Sequence, residues 1–439
     1  MQTVDAVAAV EQVLSRIGSY PQEVEVADVV KTPCSWRLYL QLIGEEPDRL
    51  EDPAKVLLRL YEYKFGEHVQ RYLAACFPTR FSRAAPTLYS GVQVQHLGYL
   101  DGLPVMLSHE STRVFPQFPA RSKLIAAARA HMLGAEAVIV ILVDRNTQKW
   151  SAWTLTDIDE AGKAVAKVPA YLASLWRGEG FPGGTASDND CAACPYATKC
   201  DADRFGPPDP WPSNGIRAVP TTDIIIELDR YLFSLNFKDS GRATHCIHPS
   251  ELSMTPCDRR IAYGLMGIRQ MGQISSHLRR IFNAGHALHD IVQMALAIAK
   301  GDAFQEEVRV QHEQLKITGH CDGQEDVLGY EIKSAGGSSY KKFTKAKREH
   351  VDQANIYCAL LGLERVLYLY VNKEEGVMKQ FVTPHNRVSW KKTATRCAHI
   401  IKTVQQGLLP PQIDIKSKCG ECPYMWTCKP AAYKRQRRF

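Results

Sequence analysis

The sequence predicts an α/β protein built from two copies of one unit, each a mixed sheet flanked by helices. Three observations predict it. Segments of the first half match segments of the second in the same order. Each copy alternates amphipathic helical patterns with short apolar or alternating strands. Each copy also places one cysteine far upstream of a C-x2-C-x5-C cluster.

The elements follow in that order. "KTPCSWRLYLQLIG" from Lys31 and "MTPCDRRIAYGLMG" from Met254 share Thr-Pro-Cys, an Arg three residues after the Cys and a closing Leu-x-Gly, at a shift of 223 residues (257 less 34). A second helix is expected over Tyr61 to Cys76 and over Leu278 to Lys300; there "FGEHVQ" at Phe65 parallels "AGHALH" at Ala284, a shift of 219. Alternating strands such as "EEVRVQHEQLKITGHCDG" come next, and "LGYLDG" at Leu97 parallels "TGHCDG" at Thr318, a shift of 221. A helix end, a glycine cap and a buried strand recur in "HMLGAEAVIVILVDRN" from His131 and "LLGLERVLYLYVNKE" near Leu360, a shift of 228. The clusters "CAACPYATKC" at Cys191 and "CGECPYMWTC" at Cys419 close each copy at that same shift of 228. Such order implies a tandem duplication. The Pro- and Gly-rich "DRFGPPDPWPSNGIRAVPTTD" reads as linker, which divides the chain into domains 1–205 and 223–439 joined by residues 206–222.

At 439 residues, 45% hydrophobic and 23% charged, the chain has the composition of a folded water-soluble protein. The longest apolar run, "AVIVILV" from Ala137, is far short of the roughly 18 residues a membrane span needs. The opening "MQTVDAVAAVEQVLSRIG" lacks a basic start and a long apolar block, so a cytoplasmic protein without membrane attachment is expected. The net charge of +7 permits a polyanionic partner without demanding one. In "YKKFTKAKREH" the residues Lys341, Lys342, Lys345, Lys347 and Arg348 form a basic run, and the chain ends "YKRQRRF"; alone these read as a solvated helix face and a frayed tail.

Thirteen cysteines in a reducing compartment point to metal binding before disulfides. Cys34 precedes Cys191, Cys194 and Cys200 as Cys257 precedes Cys419, Cys422 and Cys428, with first separations of 157 (191 less 34) and 162 (419 less 257). Four thiolates hold either a tetrahedral zinc or a cubane iron-sulfur cluster, and the distant Cys ties the domain's two ends together. Cys76, Cys246, Cys321, Cys358 and Cys397 lie outside this frame and read as inert buried thiols.

The stretch "GHCDGQEDVLGYEIKSAGG" from Gly319 carries the chemistry. Alternate residues of a strand share a face, so Glu331 and Lys333 project together while Ile332 enters the core, and Asp322 on the neighbouring strand can meet them. Two carboxylates offer hard oxygens to Mg2+ or Mn2+, and the lysine can orient or help deprotonate a water. His289 follows Gly285 by four residues on a predicted helix, and Gln353 and Tyr357 share a helical face at i and i+4. Singly, each has a bland reading as a core histidine, a surface strand or a helix-surface pair.

Taken in order, Cys257, Gly285-x3-His289, Gly319-x2-Asp322, Glu331-x-Lys333, Gln353-x3-Tyr357, Cys419, Cys422 and Cys428 resemble the RecB-like branch of the PD-(D/E)XK nucleases. The likeness is to the four-cysteine variety found in CRISPR spacer-acquisition exonucleases and in the AddAB helicase-nuclease. The resemblance implies two tandem restriction-endonuclease-like domains, each stapled by a 4Fe-4S cluster, with zinc as the alternative. It further implies metal-dependent cleavage of DNA, exonucleolytic on single strands or free ends. His289, Asp322 and Glu331 would bind the Mg2+ or Mn2+, Lys333 would serve the attacking water, and Gln353 and Tyr357 would position the strand or the lysine. The run Lys341, Lys342, Lys345, Lys347 and Arg348 then becomes a track for the DNA backbone. No GxxxxGK[ST] segment occurs, so any unwinding would need a helicase or other DNA-processing partner.

The first half departs from this pattern. Asp101 survives in "GYLDG", but Met106 and Ser108 stand at the Glu331 and Lys333 positions when apolar residues are aligned. Counting from Asp101 instead places Glu110 and Thr112 there. Gln70 replaces the histidine, and Ile125 and Arg129 replace Gln353 and Tyr357. The first copy therefore reads as a pseudonuclease. An inert iron-sulfur protein that only binds nucleic acid or a partner is the competing reading.

Overall fold

The computed structural model describes residues 5–19, 52–85, 87–89, 92–110, 115, 117–165, 215–237, 245–268, 274–413, 419 and 422–428. Within them lie two large sheets. The strands of the first half are β1 (Phe81–Arg83), β2 (Thr87–Tyr89), β3 (Val92–Val94), β4 (Gly98–Leu100), β5 (Leu103–Glu110), β6 (Val138–Asp144), β7 (Trp150–Thr156) and β8 (Arg217–Pro220). Those of the second half are β9 (Gln305–His312), β10 (Ile317–Glu325), β11 (Leu328–Ala335), β12 (Arg365–Asn372) and β13 (Met378–Pro384).

The sheets run β1-β4-β5-β6-β7-β8 and β9-β10-β11-β12-β13, while β2 and β3 form a separate hairpin. Both large sheets begin with two antiparallel pairings, pass through a parallel pair (β5 with β6, β11 with β12) and continue antiparallel. A parallel central strand is covered on both faces, which is why β6 is buried throughout and β12 is buried along nearly its whole length. Arg217–Pro220, in the stretch whose composition reads as linker, pairs with β7 as an added edge strand.

The helices used below are α1 (Ala6–Ser19), α2 (Pro53–Cys76), α3 (Ala120–Met132), α4 (Thr222–Ser234), α5 (Pro249–Met254), α6 (Asp258–Leu265), α7 (Ser276–Lys300), α8 (Gly337–Lys341), α9 (Arg348–Leu361), α10 (Arg387–Gln405) and α11 (Met425–Cys428). Local chemistry sets their ends. Asp52 caps α2 by accepting from the Ala54 N–H, with Pro53 in the first turn, and Ser275 caps α7 by accepting from Leu278 N–H. Helix α7 stops at Gly301, whose φ of +57° suits glycine, and α9 stops at Gly362 with φ +72°. Helices α2 and α7 thus begin earlier than the apolar pattern indicates.

One apolar core joins the halves. It takes Val10 and Leu14 from α1, Leu57, Tyr61 and Phe65 from α2, Leu228 from α4, and Ala284, Leu288 and Val292 from α7. The inner faces of both sheets close it, through Ile139 and Ile141 on one side and Ile332, Leu367 and Leu369 on the other. The leading helices cross over: α1 packs beside β13, where Gln380 Oε1 accepts the Ala6 and Val7 N–H groups at 2.9 and 3.1 Å, and α4 packs beside β7. Helix α3 covers the outer face of the first sheet and α9 that of the second.

The two turns that follow the parallel strands are built alike and point across the boundary. Asp144 Oδ1 accepts from Asn146 N and Thr147 N (2.9 and 3.1 Å), and Asn372 Oδ1 accepts from Glu374 N and Glu375 N (3.0 and 3.4 Å). Asn146 Oδ1 then accepts from Gly337 N at 3.2 Å, just past β11. Gly376, in the other turn, sits so close to α2 that a Cβ there would lie 2.4 Å from the Ala54 carbonyl oxygen. Because the halves share their largest core, Leu288→Ala is expected to cost about 2–5 kcal/mol. Chemical denaturation followed by tryptophan fluorescence should give one transition for both halves; two separate transitions would contradict a shared core.

Candidate active site at a strand fork

Pairing between β10 and β11 covers only Gly323↔Tyr330, Gln324↔Gly329 and Glu325↔Leu328 next to their turn. Beyond that point β10 continues with β9 and β11 with β12, so the two strands part. The fork leaves backbone groups to be satisfied by side chains. Asp322 Oδ2 accepts the Ile332 N–H at 2.6 Å, which holds its carboxylate between the strands. His289, from α7 beneath, brings Nε2 to 3.1 Å from the same oxygen.

Strand alternation sends Ile332 into the shared core and Glu331 and Lys333 to the opposite face, under α9. Lys333 Nζ pairs with Glu331 Oε1. Glu331 is 0% exposed, and apart from that ammonium neither of its oxygens meets a hydrogen-bond donor. Buried carboxylate oxygens lacking donors suit a cation, so the residues here fit a divalent ion. Gln353 Nε2 donates to the Tyr357 hydroxyl at 2.7 Å on the inner face of α9.

Electrostatics couple these groups. Burial pushes Glu331 up to about 7 despite the opposing pull of Lys333. Burial acts the same way on Asp322, but the His289 hydrogen bond and the Lys333 charge outweigh it and hold that carboxyl below its usual range. Against the effect of burial, Glu331 and Asp322 keep Lys333 protonated well above its ordinary value. Tyr357 is raised by burial first and by the charges of Glu331 and Asp322 next.

Three further residues reach the site without having been singled out by sequence. Glu307 on β9 and Gln293 on α7 contact His289 and Asp322. His350 lies one turn before Gln353, with Nδ1 2.8 Å from the Tyr370 hydroxyl, and burial and the Lys333 charge lower it to about 4. His350, Gln353 and Tyr357 do share one helical face, a signal that was available in the sequence. Gln293 likewise follows His289 by one turn.

The basic run lies between α8 and α9. Lys341 pairs with Glu375 at 3.8 Å and Arg348 with Asp352 at 3.7 Å, Lys342 and Lys345 are exposed, and Lys347 covers the Phe343 ring at 4.9 Å. The Lys347 N–H donates to the Tyr370 hydroxyl that also meets His350, which ties the run to the site.

The register of the first sheet revises the internal alignment. Leu100↔Leu103 closes the β4–β5 turn as Glu325↔Leu328 closes that of β10–β11, an offset of 225 (325 less 100). Asp101 therefore matches Asp326, not Asp322; both are turn residues with φ near +50°, and Asp101 is spent on an ion pair with Arg80. Leu97 stands at the Asp322 position, and Met106 and Ser108 stand at Glu331 and Lys333. Glu110 is instead at the strand end, accepting from Ser108 and Ser122. The helices α2 and α7 start 223 residues apart (276 less 53), so Gly66 replaces His289 and Gln70 matches Gln293. One contact is common to both helices: Gln70 Nε2 donates to Leu97 O as Gln293 Nε2 donates to Asp322 O, both at 2.7 Å.

Cys257 precedes α6, and with Cys419, Cys422 and Cys428 it lines one small cavity. Burial and the neighbouring Cys257 and Cys419 raise the Cys422 thiol. Cys34, Cys191, Cys194 and Cys200 lie outside the described residues. Cys321, Cys358 and Cys397 are buried, and Cys76 and Cys246 half-buried.

No protein-family model matches the chain, and no curated protein does. Among solved structures, it is similar to an alkaline exonuclease (LHK-Exo) from Laribacter hongkongensis, at 14% identity over 40% of this chain and 93% of that chain, with a TM-score of 0.32. It is also similar to SSO0001, at 16% identity over 46% of this chain and 95% of that chain, with a TM-score of 0.28. No helix among the described residues is long and apolar enough to cross a membrane.

Without metal, Glu331 holds its proton more tightly folded than unfolded. Its contribution to stability is complete below pH 4.5 and is lost as the pH rises to about 7. Thermal melts in chelator should show this decline, and Glu331→Gln should flatten it; an unchanged slope would assign the decline to another group.

Proposed function

We propose that the chain is a divalent-metal-dependent phosphodiesterase of the RecB-like PD-(D/E)XK type, acting on DNA from single-stranded or free ends. The reading is carried by Glu331, whose buried oxygens meet no donor but Lys333, coupled electrostatically to the His289–Asp322 pair at the fork. A bound Mg2+ or Mn2+ would supply Lewis acidity toward a phosphoryl oxygen and toward the attacking water. Asp322 and Glu331 give it hard oxygens, and His289 gives it a nitrogen. Lys333, protonated and held against Glu331, is placed to orient that water and to offset negative charge developing on the phosphate. Gln353 and Tyr357, hydrogen-bonded to each other at 2.7 Å on α9, are assigned to position the strand or Lys333. The exposed lysines beside α9 offer a path for the DNA backbone.

The two halves read as a tandem duplication, because the sheets share their strand order, the turns at Asp144 and Asn372 share their hydrogen bonds, and Gln70 mirrors Gln293. In this reading the first half is inert, with Gly66, Leu97, Met106 and Ser108 where ligands and lysine would stand. The four cysteines around the cavity at α6 are assigned to a 4Fe-4S staple, and the first-half set to a second one.

Lys333→Ala and Glu331→Gln should each lower Mn2+-dependent degradation of end-labelled DNA by about a hundredfold or more while leaving DNA binding intact. Wild-type protein that binds DNA in a salt-sensitive way but cleaves none with any divalent metal would favour the inert-binder reading instead. Cys422→Ser should lose iron and acid-labile sulfide from anaerobically prepared protein; zinc at the wild-type site would replace the cluster assignment.

A further inference from the structure

We propose that Glu307 is a further ligand of the divalent ion, approaching from the open side of the fork; this rests on the metal site proposed above. Glu307 lies on the edge strand β9. The flanking pairs Val308↔Cys321 and Glu306↔Gly323 set it opposite Asp322. Two like charges facing each other across a ladder repel unless something between them compensates.

The geometry brings them together all the same. His289 Nδ1 lies 4.0 Å from Glu307 Oε1 while its Nε2 lies 3.1 Å from Asp322 Oδ2. One ligand atom from each of His289, Glu307 and Asp322 falls within 4.8 Å of the other two. Gln293, 5% exposed, donates to Glu307 Oε1 at 2.9 Å and to Asp322 O at 2.7 Å, so the outer carboxylate is held over the site. Outside that trio, on the face under α9, Glu331 is fully buried with no donor but Lys333, an independent sign that a cation belongs at the fork.

The first half supplies an internal control. Arg83↔Gly98 matches Glu306↔Gly323, so Ala84 stands at the Glu307 position. Gln70 persists there with its bond to Leu97 O, and its second contact is to the Ala84 backbone at 3.4 Å. The glutamine is thus common to both halves as a structural clamp. The Glu307 carboxylate is absent where the histidine, the aspartate and the second glutamate are absent.

The test is Mn2+ titration, followed by electron paramagnetic resonance, of metal-stripped full-length protein carrying Glu307→Gln, Glu307→Ala, Asp322→Asn or Glu331→Gln. Glu307→Gln keeps an oxygen for Gln293, and a melting curve in chelator checks that each variant folds. Both Glu307 variants are expected to weaken Mn2+ binding about tenfold or more, with a matching rise in the metal needed for half-maximal cleavage. Wild-type affinity in folded Glu307 variants, alongside weakened Asp322→Asn and Glu331→Gln, overturns the Glu307 assignment alone. Wild-type affinity in all four overturns the metal site itself, and Glu307 with it.

Discussion

The bond from Ile332 N–H to the Asp322 carboxylate marks where two strands stop pairing, and the arrangement of the site follows from it. A continuous ladder would have offered that amide a backbone acceptor. With the ladder open, a side chain takes the acceptor's place, and the gap admits His289 from below and Glu331 and Lys333 from the neighbouring strand. The local dielectric is low, so each charge there is expensive alone and strongly coupled to the rest. The Glu331 and Asp322 carboxylates hold Lys333 above its ordinary value against the effect of burial, while burial raises Glu331 because one ammonium does not fully offset it.

Much of this was legible in the sequence. Strand alternation puts Glu331 and Lys333 on one face whatever the tertiary structure, and helical spacing does the same for Gln353 and Tyr357. The Met106 and Ser108 alignment rests on the burial pattern of β5, and the sheet register agrees with it. The Asp101 alignment rested on a short Asp-Gly resemblance, and Asp-Gly occurs wherever a turn needs a left-handed residue. Asp322-Gly323 lies inside a strand, whereas Asp101-Gly102 is the turn itself, and only the register separates them. Glu307 could not be placed from sequence, since its approach to His289 depends on which residue of β9 faces Asp322. The strand at Arg217–Pro220 was hidden by the Pro and Gly content around it.

The middle of the molecule explains why the site sits so firmly. Helix α7, which carries His289 and Gln293, is packed between α1, α2 and α4 and spans the boundary between the sheets. Arg280 on the same helix is buried, ion-paired with Asp229 of α4 and placed over the Trp150 ring at 4.8 Å. The platform for His289 and Gln293 is thus assembled from both halves of the chain. Beyond the far end of β11, Asn146 reaches from the other half to Gly337.

That crossing of α1 and α4 bears on any attempt to trim the chain. Helices α1 and α2 of the first half clad the helix that carries His289. A cut between the two sheets would therefore strip that helix of its apolar cover and return the exposed surface to water.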